Sequence, residues 1–190
     1  MNLHLSWDLF ILVFFAVVIA YSFIIGRNQT LKVILGTYVA ILCADGLGNL
    51  FAKYLAPSEA FLRFMKLFAV GNADQAVVFF KVLIFLILIV LVAVRGMFEV
   101  NAEENGSMSV RMVTLLLLGL MSAGLMMSTV LVFISGASLI GTDIGTTTNI
   151  LAGVYNDSRL VRIMIDFANI WFFLPGIAFI VLGVINKKSA

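Results

Sequence analysis

Residues 31–51 read LKVILGTYVAILCADGLGNLF, an apolar run long enough to cross a bilayer, for which about 20 residues suffice. Small residues recur in it at every fourth position, as Gly36, Ala40, Ala44 and Gly48. In lipid, the close approach of backbones along such a stripe is a main source of helix association. The segment is therefore predicted to be a transmembrane helix at the centre of a helix bundle, with this small-residue stripe as its packing face.

The composition of the chain points to the same class of protein. Hydrophobic residues make up 63% of the 190 residues and charged residues 12%, whereas a soluble domain has about half and about one quarter. We expect an all-α, polytopic membrane helix bundle that forms a single membrane-embedded domain over 1–190. Five transmembrane helices are predicted, over 7–25, 31–51, 76–94, 112–134 and 167–185.

Local signals mark the ends of the first two spans. Ser6 is a suitable N-cap, and Asp8 follows in the first turn, where the helix dipole favours a carboxylate. Residues 26–30 (Gly-Arg-Asn-Gln-Thr) predict a tight polar turn, with Thr30 capping the second helix. No Lys or Arg precedes the first apolar run, which is therefore expected to be a retained helix rather than a removed signal peptide.

Two connecting segments are amphipathic. Arg63 and Lys66 lie three residues apart among apolar residues, and so do Arg159 and Arg162. Each segment predicts a helix in the headgroup plane, and the alternative for each is an extension of the neighbouring span. Residues 135–158, rich in Gly and Thr, are interpreted as an ordered loop on the membrane face or a shallow re-entrant segment, of which we favour the loop.

Two charged residues lie deep inside predicted spans, away from the helix ends. Asp45 is about four residues past the middle of its helix, roughly 6 Å from the midplane. Lys81 lies about as far before the middle of the next helix, which runs the opposite way, so the two side chains should reach a similar depth. We predict a contact between them, direct or through water. Three interpretations of these residues are open. They form a structural pair that fixes helix register, or Lys81 snorkels to the interface and Asp45 lies in a water-filled opening, or the two residues form a proton or ion relay.

A proline and a glycine are adjacent in the last predicted span. Pro175 lacks the backbone N–H that an α-helix needs, and Gly176 follows it directly. The pair is expected to kink the helix. In a transporter it would be a hinge.

Several classes of function are not supported by the residues present. A net charge of +2 leaves no basic surface for nucleic acid. The single cysteine, Cys43, and the single histidine, His4, are too few for a zinc or haem cage, so no metal and no cofactor are expected. A Ser-His-Asp triad would have to use His4 at the membrane edge. We therefore assign no catalytic residue and expect no enzyme.

The distribution of Lys and Arg predicts an orientation. Basic residues at helix ends in short connections have the strongest effect on topology. The two sides carry similar numbers of basic residues: Lys53, Arg63, Lys66, Arg159 and Arg162 on the side of the N-terminus, and Arg27, Lys32, Arg95, Arg111, Lys187 and Lys188 on the other. The second set all lie at helix ends in the shorter connections. The N-terminus is therefore predicted outside and the C-terminus in the cytoplasm.

The opening of the chain resembles the colicin V production protein family. The residues concerned are Asp8-Leu9-Phe10-Ile11, then Ile24-Ile25-Gly26-Arg27, and after a short polar turn Leu31-Lys32-Val33-Ile34-Leu35-Gly36. That family begins with an acidic residue before a first span, a turn with glycine and arginine, and a second span rich in small residues. A fifth apolar span after the late amphipathic helix departs from the family pattern. The resemblance implies a bacterial inner-membrane protein linked to toxin export and envelope homeostasis.

The functional expectation follows from the topology and this resemblance. We expect a non-enzymatic inner-membrane protein that acts as a scaffold or as an accessory of secretion or membrane homeostasis. The alternative is a small ion or proton channel or transporter subunit that uses Asp45 and Lys81. The expected partners are membrane lipids and other membrane proteins or a second copy of the chain, and not nucleic acid.

Overall fold

The structure of the protein is a computed structural model that describes residues 6–55, 58, 73–95, 108–136, 155 and 158–187. In these residues the chain forms five α-helices and no strand. They are α1 (Trp7–Tyr54), α2 (Ala73–Arg95), α3 (Met108–Ile134), α4 (Arg159–Asp166) and α5 (Ala168–Lys187). Three of them, α1, α2 and α3, are long and apolar enough to cross a membrane, and the bent pair α4–α5 meets the same condition together.

One glycine divides α1 into two helices. Gly26 has φ +79° and ψ 175°, a left-handed conformation that glycine adopts without a steric penalty. The predicted polar turn over 26–30 was too long, because Arg27 and the residues after it are already helical. Thr30 is not an N-cap: its hydroxyl donates to the Gly26 carbonyl at 2.9 Å, from within the second helix.

The two halves of α1 fold back on one another beside α3. Where they join, the hydroxyl of Thr30 lies 3.5 Å from the carbonyl oxygen of Ser22, and Ser22 packs against Gly119 of α3. Farther along α3, Ile11 of the first half packs in one apolar cluster with Leu131. The first half of α1 therefore runs antiparallel to α3.

The second half of α1 lies against α2. An ideal Cβ on Gly36 would come 2.1 Å from Val92 Cγ1, and near the other end the rings of Phe51 and Phe80 stack with centroids 4.1 Å apart. Because low numbers on one helix meet high numbers on the other, the two helices are antiparallel.

The centre of the bundle is shared between the second half of α1 and α3. The sequence predicted the stripe-bearing helix alone as the centre. In the structure, α3 contacts all four other described helices. Of an apolar stretch of 18 residues in α3, 67% is buried inside the protein. Its glycines explain this position: Gly119 admits Ser22 of α1, and Gly124 admits the ring of Trp171 of α5.

The last two described helices meet at a sharp bend. α4 and α5 form an angle of 60°, with Phe167 between them. The apolar side of α4 is covered by protein, because Val161 and Met164 are buried in a cluster with Ile11. α5 continues as a helix through Pro175.

The predicted bounds differ from the structure by a few residues at most helix ends. Ser6 caps α1 as predicted, accepting a hydrogen bond from the backbone N–H of Leu9 at 3.2 Å. The helix predicted around Arg63 and Lys66 lies outside the described residues, as does most of the segment 135–158.

Candidate functional site

Asp45 and Lys81 form an ion pair in the interior of the bundle. Lys81 Nζ lies 2.5 Å from Asp45 Oδ1. The exposed fraction is 0% for the Asp45 side chain and 5% for the Lys81 side chain. The two residues predicted to share a depth are therefore in direct contact.

The small-residue stripe is what allows this contact to form. Gly48 follows Asp45 by three positions, and an ideal Cβ on it would lie 2.3 Å from Lys81 Cγ. The aliphatic stem of the lysine thus occupies the space that a side chain at Gly48 would need. Ala40 and Ala44 continue the same buried face. The stripe brings α2 close enough for the ammonium group to reach the carboxylate.

An aromatic ring of α3 lies over the ammonium group. Lys81 Nζ lies 5.8 Å from the centroid of the Phe133 ring, within the range of a cation–π interaction. Phe133 in turn meets Phe85 of α2 edge to face, with centroids 5.9 Å apart. Toward the Gly26 end of the bundle, an apolar cluster that includes Ile41 and Leu125 follows. The pair therefore lies in surroundings of low polarity, where removing one partner leaves a buried charge uncompensated.

A cavity reaches Lys81 from the end of the bundle where α1 ends and α2 begins. Its volume is about 320 Å³, and its lining includes Ala52, Asp74, Lys81, Phe133 and Gly136. We call it the vestibule. Asp74, in the first turn of α2, is the acidic residue that lines it together with Lys81.

A second polar contact ties the stripe-bearing helix to α5. The hydroxyl of Tyr38 donates a hydrogen bond to the backbone carbonyl of Phe172, and the same hydroxyl is 3.4 Å from an ideal Cβ on Gly176. Pro175 has no N–H, so the Trp171 carbonyl, four residues earlier, lacks its helical donor. Tyr38 donates to the adjacent Phe172 carbonyl, close to the predicted hinge residues Pro175 and Gly176.

The first turn of α1 is tied to the first turn of α4. Asp8 Oδ1 accepts hydrogen bonds from Ser158 Oγ at 2.6 Å and from the backbone N–H of Leu160 at 3.0 Å. Ser158 also acts as the N-cap of α4, accepting from the backbone N–H of Val161 at 3.1 Å. One carboxylate therefore satisfies donors at a helix N-terminus distant in sequence.

The predicted basic residues of α4 lie on its exposed side. Arg159 and Arg162 are both exposed, and the Arg162 guanidinium lies 5.3 Å from the ring of Tyr155. The hydroxyl of Tyr155 donates to Asp166 at 2.8 Å, and this bond raises the pKa of Tyr155. Arg63 and Lys66, predicted for the other amphipathic helix, lie outside the described residues.

One predicted packing patch is not used. Ala16 and Ala20, four residues apart on the first half of α1, predict a small-residue patch that matches the stripe, but both are exposed. The buried face of this half carries Ile11 and Ser22 instead. The reason lies on α3, where Gly119 leaves a notch that Ser22 occupies.

The contacts of Tyr38 and of Asp8 with distant residues were not found from the sequence. Tyr38 could have been noticed as a hydroxyl on a predicted lipid-depth helix, since such a group needs an acceptor inside the bundle. Asp8 was assigned to the dipole of its own helix, which gave no indication of a second helix.

The fold and this site define a helical membrane-bundle protein with a buried, directly bonded ion pair at its centre. Comparisons with protein-family models, with curated protein sequences and with solved structures find no match to this chain.

Proposed function

We propose that this protein is a non-enzymatic scaffold of the bacterial inner membrane, an accessory of secretion or membrane homeostasis. The observation that carries the proposal is the direct contact between Asp45 and Lys81 in the interior of the bundle. Each of the two buried charges is neutralised by the other, and the Asp45 side chain is fully buried. The envelope setting comes from the resemblance of the first two spans to the colicin V production proteins.

The topology belongs to the same proposal. Because α1 folds back at Gly26, each of its halves is taken as one span. With α2, α3 and the bent pair α4–α5 this gives five spans, with the N-terminus outside and the C-terminus in the cytoplasm. α4 would then lie near the headgroups, with Arg159 and Arg162 toward the polar phase and Val161 toward the protein core.

The surroundings of the pair favour a structural role. The lysine stem is held in the notch at Gly48, so its side chain has little room to change conformation. On the Gly26 side, the described residues next to the pair form an apolar cluster that includes Ile41 and Phe85. A relay needs water or titratable groups on both sides of the ion pair.

The vestibule favours the second candidate function, a small proton or ion conductor. It brings a cavity of about 320 Å³, with Asp74 in its lining, to Lys81 from one end of the bundle. In a conductor, this cavity would be the entry, and rearrangement near Pro175 and Gly176 would open the apolar cluster on the other side. The vestibule reaches the ion pair from one end of the bundle only. A conductor is therefore our second candidate function.

Flux through proteoliposomes separates the two functions. Purified full-length protein would be reconstituted, and proton, Na⁺ and K⁺ flux measured under an imposed gradient. The variants are Asp45→Asn and, as a matched control outside the vestibule, Asp166→Asn at the exposed end of α4. A scaffold gives the same background flux in all samples. Flux that is lost in Asp45→Asn, with folding intact, would overturn the scaffold proposal in favour of the conductor.

A partner experiment tests the scaffold directly. Inner-membrane proteins that co-purify with the wild type would be quantified by mass spectrometry beside those of the double variant Asp45→Asn/Lys81→Met. If the pair only holds the bundle together, a folded double variant retains the same partners. A specific loss of partners in a folded double variant would mean that the charges themselves take part in the function.

A further inference from the structure

A cavity with two basic residues opens at the end of the bundle opposite the vestibule. Its volume is about 430 Å³, and its lining includes Tyr21, Gln29, Lys32 and Arg95. The first two belong to the region of the α1 turn, Lys32 lies in the second half of α1, and Arg95 is the last residue of α2. We call it the basic cavity.

An apolar cavity of about 230 Å³ adjoins the basic cavity. The two share Tyr21, Ile25, Val33 and Ala93 in their linings. The apolar cavity extends toward α3, where Met126 lines it. Together the cavities form one amphipathic groove, with two cations at one end and aliphatic side chains at the other.

The two cations have no anionic partner in the described part of the chain. Neither the Lys32 side chain nor the Arg95 side chain makes a hydrogen bond or an ion pair there. Two unpaired cations beside one cavity attract an anion, and the binding of a phosphate to them is favourable near a membrane surface. Basic pockets between transmembrane helices are suited to acidic lipid head groups.

A buried hydroxyl in the apolar cavity has no hydrogen-bond partner. Ser122 of α3 is 1% exposed, and its Oγ makes no hydrogen bond within the described structure. It lines the apolar cavity among aliphatic side chains. A buried hydroxyl without a partner is unfavourable. A ligand that brings a carbonyl oxygen to this depth would satisfy it.

The level of the groove matches the boundary of a bilayer. Tyr21 is a residue type enriched where hydrocarbon meets head groups. Lys32 and Arg95 lie at the same cavity as Tyr21, and α2 ends there. Ser122 lies in the adjoining cavity, which is almost entirely apolar. The order of chemical groups is therefore cation, aromatic ring, hydroxyl and aliphatic wall, as along a phospholipid.

We propose that this groove binds one anionic phospholipid. Its phosphate contacts Lys32 and Arg95, and the start of one acyl chain enters the apolar cavity, where the ester carbonyl accepts a hydrogen bond from Ser122. The site is independent of the Asp45–Lys81 pair and stands whether the protein is a scaffold or a conductor.

Native mass spectrometry of the full-length protein in detergent tests the site. The probes are phosphatidylglycerol, phosphatidylcholine of the same acyl chains, and glycerol phosphate, which carries the head-group charge without a chain. Each cation should contribute about fivefold in affinity, so phosphatidylglycerol should bind the wild type about twenty-fivefold more tightly than it binds the double variant Lys32→Gln/Arg95→Gln. Glycerol phosphate alone should bind far more weakly.

Three further variants complete the design. Lys53→Gln removes an exposed cation at the other end of α1 and should leave the lipid preference unchanged. Ser122→Ala should lower the affinity for both lipids by a similar factor. Ala93→Phe should fill the groove and abolish the binding of both lipids. Thermal unfolding without added lipid checks that each variant is folded.

The outcomes decide the proposal. Equal affinity of the wild type for the two lipids would overturn it, because lipid then occupies the groove without recognition of charge. Glycerol phosphate binding as tight as that of phosphatidylglycerol would replace the lipid by a soluble phosphate ester. If a variant fails to fold, the comparison of the two lipids on the wild type still gives a decisive answer.

Discussion

Asp8 and Ser158 are 150 residues apart in the chain and are joined by a hydrogen bond of 2.6 Å from Ser158 Oγ to Asp8 Oδ1. The same carboxylate oxygen accepts from the backbone N–H of Leu160. The start of α1 is thereby fixed to the start of α4, and with it the position of the bend into α5. A carboxylate bonded to helix N-terminal donors is a charge-assisted cap.

Removal of this carboxylate should loosen α4 without unfolding the bundle. Asp8→Ala is expected to lower the free energy of unfolding, because Ser158 Oγ and the backbone N–H of Leu160 lose their acceptor. Hydrogen exchange of the amides of α4 should accelerate in the same variant, whereas that of α3 should not. The matched control is Asp74→Ala, which removes an exposed acid from the first turn of α2. Equal effects of the two substitutions would show that the link to α4 contributes nothing.

The ion pair should be strongly coupled in stability. Asp45→Asn and Lys81→Met each leave one buried charge without its partner, and each should lower the free energy of unfolding by about 3–5 kcal/mol. The double variant removes both charges and should recover most of that loss. Unfolding in mixed micelles gives all three values. Losses that add in the double variant would mean that the two charges do not stabilise each other.

The glycines of the small-residue stripe provide a test with an internal control. Gly36→Ala places a Cβ 2.1 Å from Val92 Cγ1, so α2 must move, and we expect a loss of about 1–3 kcal/mol in stability. Gly46→Ala, on the same helix, meets no atom within 4 Å. It should be neutral or slightly stabilising, since alanine has the higher helix propensity.

A second substitution should repair the first. Val92→Ala removes the methyl groups that an alanine at 36 would meet, so the double variant Gly36→Ala/Val92→Ala should be more stable than Gly36→Ala alone. Unfolding of the four proteins in the same detergent measures this. If Gly36→Ala and Gly46→Ala are equally harmless, the close approach of α2 at Gly36 does not stabilise the bundle.

The sequence predicted the parts of the fold that depend on residues near in the chain. Apolar run length placed the helices, and depth arithmetic along two antiparallel spans brought Asp45 to Lys81. The face of the first span could not be predicted, because it is decided by Gly119 on a distant helix rather than by Ala16 and Ala20. The contact of Tyr38 with a backbone carbonyl depends in the same way on how α5 packs, which no local pattern encodes.

Tyr38 should stabilise the contact with α5 whether or not Pro175 is present. The Tyr38 hydroxyl donates to the Phe172 carbonyl, whereas the missing N–H of Pro175 leaves the Trp171 carbonyl without its helical donor. Tyr38→Phe should lower the free energy of unfolding by about 1 kcal/mol, as for a typical hydrogen bond. Because an N–H restored by Pro175→Ala would serve the Trp171 carbonyl, the same substitution should cost about as much in that background, and the two substitutions should show little coupling.

A double-mutant cycle over Tyr38→Phe and Pro175→Ala measures this coupling directly. Tyr54→Phe is the control, because its side chain is 67% exposed at the end of α1 and its loss should change little in either background. An equal loss of stability from Tyr38→Phe with and without the proline would show that the hydroxyl acts independently of Pro175. It would then stabilise the contact between the second half of α1 and α5 by itself. The proline would then matter only for the shape of α5. A smaller loss in the alanine background would instead identify Tyr38 as the group that lets this helix keep a proline inside the bundle.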